Sequence, residues 1–153
     1  MSPRMFRLLM NLYPPYLGTG IRVTRVSADF SEVDVEMRLH WYNGNAFGTH
    51  FGGSLYAMVD PFLVLMTVQQ IGSDYIVWDK SAQIDFIAPG RGTVYAKFRM
   101  PREEIARLQA QAAGGQPVVP QYPLEILDGD GKRVARVVKT LYVRRKKARS
   151  DAT

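Results

Sequence analysis

Alternating apolar and polar residues run through much of the chain and predict β-strands. The clearest case is 32–40, where Val33, Val35, Met37 and Leu39 alternate with charged residues and one histidine. A period of two is that of a strand with one buried face. Similar patterns, bounded by turn residues, predict further strands at 21–26, 75–88, 93–100, 118–127 and 134–143. The Asp-Gly-Asp-Gly run at 128–131 predicts that the last two strands form a hairpin.

Three other segments favour helices. Residues 3–12 have apolar side chains at helical spacing, and the two prolines at 14 and 15 end that pattern. Residues 55–71 are apolar almost all round, follow Gly52-Gly53-Ser54 and stop at Gly72, which is typical of a buried helix. Residues 102–113 are good helix formers with a mixed-charge face, as expected of a small surface helix.

The order of these elements predicts an α+β fold. We expect an antiparallel sheet of about six strands to wrap around one long buried helix, with a short N-terminal helix at 3–12. No internal repeat or linker divides the chain, so 1–153 is expected to be one domain. A single sheet of this kind has exposed edges, and pairing of those edges predicts a dimer at least.

Composition excludes several classes of site. The chain has no cysteine, so disulfides, thiolate metal sites and cysteine nucleophiles are excluded. Arg4 and Arg7 interrupt the apolar residues of the N-terminus, which is unlike a signal peptide. The longest apolar stretch, 55–68, contains Asp60 and Pro61 and is too short to span a bilayer. The sequence therefore predicts a soluble cytoplasmic protein without a membrane partner.

The net charge of +6 is concentrated near the C-terminus. Five basic residues fall within the last ten, at 144–147 and at Arg149, and predict a solvated basic tail over 144–153. The interleaved aromatic and basic residues of a single-strand-binding platform are missing from the rest of the chain. We expect no nucleic-acid partner, although the basic excess could attract an anionic ligand such as the phosphates of coenzyme A.

One stretch, 45–60, carries a family resemblance. Its Asn45, Gly48, Gly52, Gly53 and Asp60 are spaced as in the signature of hotdog-fold thioesterases of the phenylacetyl-CoA thioesterase branch. The strand-turn-strand pattern at 84–96 also resembles that superfamily, so the resemblance covers roughly 20–145. The whole chain is similar to an uncharacterised hotdog family that is usually described as thioesterase-like.

The resemblance implies an acyl-CoA thioesterase with its site at a dimer interface. Gly52 and Gly53 would polarise the thioester oxygen through their backbone N–H groups, since N–H groups at a helix start are unpaired. Asp60 and Asn45 would join Gly53 as catalytic residues, while His50, Phe51 and Ser54 would join Gly52 in binding substrate. The sequence departs from the family at one position, because the family's histidine falls on Phe51 and this chain has His50 one residue earlier.

Asp60 has two interpretations. Seven helical residues separate it from Gly53, about 10.5 Å along the axis, so the two could reach one carbonyl only from different subunits. A carboxylate in such an apolar segment is expected to be partnered or functional and to have a raised pKa. Alternatively, Asp60 precedes Pro61 as the cap of a helix beginning there, or Pro61 kinks a longer helix.

The leading functional prediction is therefore hydrolysis of an acyl thioester, carried by coenzyme A or a carrier protein, in a homodimer or homotetramer. A non-catalytic acyl-thioester or lipid-binding protein is the alternative. A hotdog hydratase is less favoured, since only His40 and His50 could serve as its histidine. No metal-ligand spacing, phosphate loop or dinucleotide fingerprint occurs, so no metal or cofactor is expected.

Overall fold

The helices and strands follow the predicted order in the computed structural model, which describes residues 1–147. The helices are α1 (Pro3–Leu12), α2 (Pro14–Thr19), α3 (Gly52–Ala57), α4 (Phe62–Ile71) and α5 (Arg102–Ala112). The strands are β1 (Ile21–Val26), β2 (Glu32–Arg38), β3 (Tyr75–Phe86), β4 (Thr93–Arg99), β5 (Gln121–Asp128) and β6 (Arg133–Arg145). Pro14 and Pro15 end α1 but begin α2, because proline is well accommodated in a first helical turn.

The six strands form one antiparallel sheet in the order β1-β2-β4-β5-β6-β3. The inward side chains of β2 and β4 come into register across the sheet, as in the pairs Val35–Ala96 and Met37–Val94, and are buried. They form the core with side chains of α3, α4 and the residues between them, including Met58, Phe62 and Met66. This is the predicted α+β hotdog architecture.

The buried helical segment Gly52–Ile71 is interrupted rather than continuous. α3 ends at Ala57 and α4 begins at Phe62, with a cis peptide bond between Asp60 and Pro61. Proline has no N–H to donate, so the helical hydrogen-bond ladder breaks there. The N-cap of α4 is Pro61, and no side chain caps that helix. The kink interpretation is therefore closer to the observed fold than an Asp60 cap.

The helical segment Gly52–Ile71 is longer than the apolar stretch 55–68, which was predicted to be too short to cross a membrane. Its 20 residues are long and apolar enough to cross a membrane by length and composition alone. Half of its most apolar window is buried inside the fold. The segment is the core helix around which the sheet curls.

The two edges of the sheet differ in how they are covered. At β1, the Asn11 side chain of α1 donates to the Val23 carbonyl at 3.0 Å and accepts from the Val23 N–H at 2.7 Å. The amide thus takes the place of a neighbouring strand. At the other edge, β3 pairs only with β6 among the described residues. β3 is therefore the edge available for further pairing.

The expected basic tail begins later than predicted. Arg144 and Arg145 belong to β6, opposite Ile76 and Tyr75 of β3, and the Lys146 N–H donates to the Asp74 carbonyl. Backbone pairing with β3 orders these residues regardless of their charge. Residues 148–153 of the predicted tail, including Arg149, lie outside the described residues.

Candidate functional site

The loop before α3 is organised by the Asn45 side chain. Its Oδ1 accepts from the N–H groups of Phe47 and Thr49 and from the Thr49 hydroxyl. Its Nδ2 donates to Thr49 Oγ1 at 2.9 Å and to the His50 carbonyl at 3.3 Å. Both donors of the amide are used within the loop, so the observed role of Asn45 is to shape this turn.

Gly52 and Gly53 form the first residues of α3, with Phe51 as N-cap. Their backbone N–H groups donate no hydrogen bond to any acceptor within residues 1–147, whereas the Ser54 N–H donates to the Phe51 carbonyl. Two aromatic rings lie against these glycines. A Cβ at Gly53 would lie 2.5 Å from Cε1 of Phe51, and a Cβ at Gly52 would lie 2.9 Å from Cζ of Phe86. Glycine is therefore needed at both positions for the rings to lie where they do.

A cleft of about 470 Å³ opens beside this helix start. Its walls come from the Asn45 loop, from α3 and from the segment that follows β3, and include Asn45, Phe47, His50, Gly52, Phe86 and Arg91. Phe47 and Phe86 are largely exposed, as is Phe51 next to them. The cleft thus combines free backbone donors with aromatic surface, a combination typical of a small-molecule site.

His50 is buried, and its ring contacts the turn that precedes β4. Its Nε2 lies 3.0 Å from the Gly92 carbonyl, which requires the tautomer with the proton on Nε2. Burial lowers the pKa of His50 below its usual 6.5, partly opposed by this hydrogen bond. Nδ1 is buried and has no partner among the described residues. These contacts fit a neutral, structural histidine better than a base.

The remaining predicted site residues differ in exposure. Phe51, at the position of the family's histidine, is 57% exposed and packs on Gly53. Ser54 is buried within α3, where its carbonyl accepts from Met58. Phe51 therefore reaches the surface beside the cleft, and Ser54 faces the core.

Asp60 belongs to a second cluster, at the break between α3 and α4. Its Oδ1 accepts from Lys139 Nζ of β6 at 2.9 Å, and the same ammonium lies 3.0 Å from Asp79 Oδ1 of β3. The side chain of Lys139 is 1% exposed, whereas that of Asp60 is 43% exposed. The Asp60 carboxylate is therefore partnered, as expected, but it is accessible rather than enclosed in apolar surroundings.

The charges of this cluster support one another. Burial and the adjacent Asp60 raise the pKa of Asp79, while Lys139 opposes the shift. Burial would lower the pKa of Lys139, but its hydrogen bonds to Asp60 and Asp79 outweigh burial and raise it. The Tyr16 hydroxyl of α2 donates to the main-chain carbonyl of Asp60 and fixes the backbone there. The result is a charged lysine that holds an exposed carboxylate in place.

Lys139 is the residue that sequence reasoning missed. It occupies an inward position of β6 between Val137 and Leu141, both fully buried. A lysine in an apolar alternation is a signal of a buried partner, because an unpaired buried ammonium is strongly unfavourable. The partner, 79 residues away along the chain, could not be identified from the pattern.

The predicted site residues thus fall into two groups in one protomer. Asn45, His50 and Gly52 line the cleft, with Phe51, Gly53 and Ser54 in the same loop and helix. Asp60 is not among the cleft-lining residues. In the described part of the chain, no three His, Asp or Glu side chains cluster as a metal site would require.

The fold has many solved relatives. A protein of unknown function from Pseudomonas aeruginosa, described as a probable thioesterase, superposes with a TM-score of 0.84 at 18% identity over 95% of this chain and 97% of that one. A thioesterase from Haemophilus influenzae superposes with a TM-score of 0.69 at 13% identity, over 98% of this chain and 95% of that one. A mutant thioesterase from Pseudomonas aeruginosa superposes with a TM-score of 0.68 at 14% identity, over 92% of this chain and 93% of that one. These likenesses establish the hotdog fold.

Sequence comparison adds the family. No curated protein matches the chain. The model of one family, the domain of unknown function DUF4442, matches residues 3–143. This chain is a hotdog-fold protein that belongs to the DUF4442 family.

Proposed function

We propose that the protein is a thioesterase that hydrolyses an acyl thioester at a site shared by two subunits. The observation that carries the proposal is the pair of free backbone N–H groups of Gly52 and Gly53 beside an aromatic cleft. An accessible carboxylate, Asp60, is held by the buried Lys139 elsewhere in the protomer. Similarity to solved proteins named thioesterases points the same way.

Each group has a role in hydrolysis. The thioester oxygen would accept hydrogen bonds from Gly52 and Gly53, which stabilise the negative charge that develops during attack. The Asp60 carboxylate would accept a proton from water as the water oxygen bonds to the carbonyl carbon. Collapse of the tetrahedral intermediate breaks the carbon–sulfur bond, and the thiolate takes up that proton. The products are a carboxylic acid and a free thiol.

The geometry favours a site made by two subunits. Gly53 lies in the first turn of α3, whereas Asp60 lies beyond the end of α3, at the break before α4. Asp60 does not line the cleft at Gly52 within one protomer, so in this proposal the carboxylate beside the glycine N–H groups comes from the partner subunit. β3, whose Asp79 contacts Lys139, is also the sheet edge left unpaired among the described residues. Pairing of two β3 strands would bring this cluster to the interface.

The test is release of free thiol from short-chain, medium-chain and aromatic acyl-CoAs by the wild type and by Asp60→Asn. We expect turnover to fall by at least a hundredfold in the variant, because an amide cannot accept the proton from water. Asp130→Asn, at an exposed turn position, is the matched control and should retain turnover. Turnover unchanged in Asp60→Asn at an unchanged oligomeric state would remove Asp60 from the chemistry.

A non-catalytic acyl-thioester-binding protein is the second candidate. It is favoured by Phe51 at the family's histidine position and by an Asn45 amide whose donors are already used. Saturable binding of an acyl-CoA without any thiol release by the wild type would select this function. We expect a soluble cytoplasmic homodimer or homotetramer in either case.

A further inference from the structure

α1 carries its most apolar stripe on the outside of the molecule. Met5, Leu8, Leu9 and Leu12 are each about half exposed, between 49% and 58%. At 100° per residue these four side chains share one side of the helix, about 100° wide. Phe6 is the side chain that α1 buries. The four exposed residues are called the α1 face below.

The position of α1 is fixed by its other contacts. Asn11 binds both polar groups of Val23, and Arg7 donates to the Thr24 carbonyl at 3.3 Å. The helix therefore cannot turn its leucines inward without exposing the backbone of β1. Tyr13 and Leu17, the next apolar residues along the chain, are also about half exposed. An exposed apolar face of this extent is typical of an interaction surface.

The segment that contains the α1 face, residues 1–28, carries charge of one sign. Residues 1–28 contain four arginines and no aspartate or glutamate. Arg25 already pairs with Glu32 and Asp34. Arg4, next to Leu8 on the helix surface, has no ion-pair partner within residues 1–147. An apolar stripe with an unpaired arginine at its border is complementary to lipid with negative headgroups.

We propose that the α1 face binds the surface of an anionic lipid bilayer, with α1 lying parallel to it. The leucines and Met5 enter the headgroup boundary, and Arg4 meets a lipid phosphate. A second copy of the chain is a poorer partner, because contact between two α1 faces would bring together surfaces that both lack acidic residues in 1–28. A helix that lies on a membrane surface needs no spanning segment, so this binding differs from the membrane crossing for which the apolar stretch 55–68 is too short.

Two features of the fold fit this occupant. α1 covers the β1 edge of the sheet, so pairing through β3 at the opposite edge does not use it. A dimer would then carry two α1 faces, which increases avidity for a surface. The proposal does not depend on the proposed hydrolysis, since it rests on α1 and β1 alone.

The experiment is co-sedimentation of the full chain with vesicles of phosphatidylcholine, alone or with about one third phosphatidylglycerol. We expect the wild type to bind the anionic vesicles and to be released by salt, since exposed charges are screened. The double variant Leu8→Gln/Leu12→Gln should bind at least tenfold more weakly, because it removes two inserted apolar side chains. Arg4→Gln should bind about fivefold more weakly. Val119→Gln, an exposed apolar position away from α1, is the matched control and should bind like the wild type.

Three results would overturn the proposal. The first is a wild type that stays in solution with anionic vesicles. The second is a double variant that binds as well as Val119→Gln. The third is a double variant that loses binding and also falls to a smaller oligomer by light scattering, since the face would then be a contact between copies. We expect the double variant to retain its circular dichroism spectrum and oligomeric state, because both substituted positions are exposed.

Discussion

At the scale of single residues, Lys139 connects distant parts of the chain. Its ammonium joins Asp60, at the helix break, to Asp79, on the edge strand. Its own side chain is fully buried, while the two carboxylates retain some exposure to water. A charged lysine in this position stays in place only because both carboxylates are present.

Lys139→Met should therefore destabilise the protein. It leaves two neighbouring carboxylates without their cation, and we expect a loss of about 2 kcal/mol, reduced by the partial exposure of Asp60. Urea unfolding measures the change. Adding Asp79→Asn in the same chain removes one of the two like charges and should recover part of the loss. Additive effects of the two substitutions would mean that Lys139 and Asp79 are not coupled.

His50 makes a pH-dependent contribution. Its pKa is lowered in the folded protein by burial, so the unfolded chain binds the proton more readily. The stability associated with neutral His50 is present above pH 6.5 and is lost as pH falls below that value. His50→Gln should show a smaller loss of stability than the wild type between neutral and mildly acidic pH, measured by urea midpoints. Parallel pH curves for the two proteins would contradict this origin, since His40 is present in both.

At the scale of elements, the first turn of α3 packs closely against two exposed aromatic rings. The side chains that a Cβ at Gly52 or Gly53 would meet are the rings of Phe86 and Phe51. Both rings are more than half exposed and can swing away. The fold can therefore accommodate a methyl group at Gly52 or Gly53. A carbonyl bound at the N–H groups of these residues could not.

Gly53→Ala should consequently separate stability from activity. The melting temperature should change little, or rise slightly because alanine restricts the unfolded chain. Under the proposed mechanism turnover should fall at least tenfold, because the added methyl group and the Phe51 ring that it displaces would obstruct the approach of the thioester oxygen to the N–H groups. Gly114→Ala, where a Cβ would meet nothing within 4 Å, is the control. Equal turnover in the two variants would exclude the glycine N–H groups from catalysis.

At the scale of the whole molecule, the two sheet edges predict how copies associate. β1 is closed by the Asn11 amide, whereas β3 has an unpaired side among the described residues. A two-fold contact through β3 would lay the strand against its own copy in antiparallel pairing. With the two-fold axis between them, the exposed residue Ser81 of one copy would face Gln83 of the other.

Ser81→Lys/Gln83→Lys should therefore weaken the dimer. It adds like charges across the two-fold axis, beside the existing Lys80, and light scattering should show a shift toward monomer. Turnover should fall with it, if the site is shared. Thr24→Lys on β1, next to Asp34, is the control and should leave the mass unchanged. A monomeric wild type, or a double variant of wild-type mass, would contradict pairing through β3.

The local sequence pattern was sufficient to predict most of the helices and strands. The strands, the first helix and the hairpin were predicted within a few residues, because alternation and turn residues act between neighbours in sequence. The position of Arg25 shows the limit. A register shift between Val23 and Arg25 moves Arg25 off the buried face of β1, where simple alternation would have kept it.

The sequence by itself determined the six-strand α+β order, the apolar central helix and the glycine pair at its start, since each depends on the side chains of adjacent residues. Only the tertiary structure decided which face of α1 is covered, that Lys139 holds Asp60, and that Asn45 and His50 bond within their own surroundings. Those outcomes depend on contacts between residues far apart in the chain, which sheet topology creates and which periodicity does not encode.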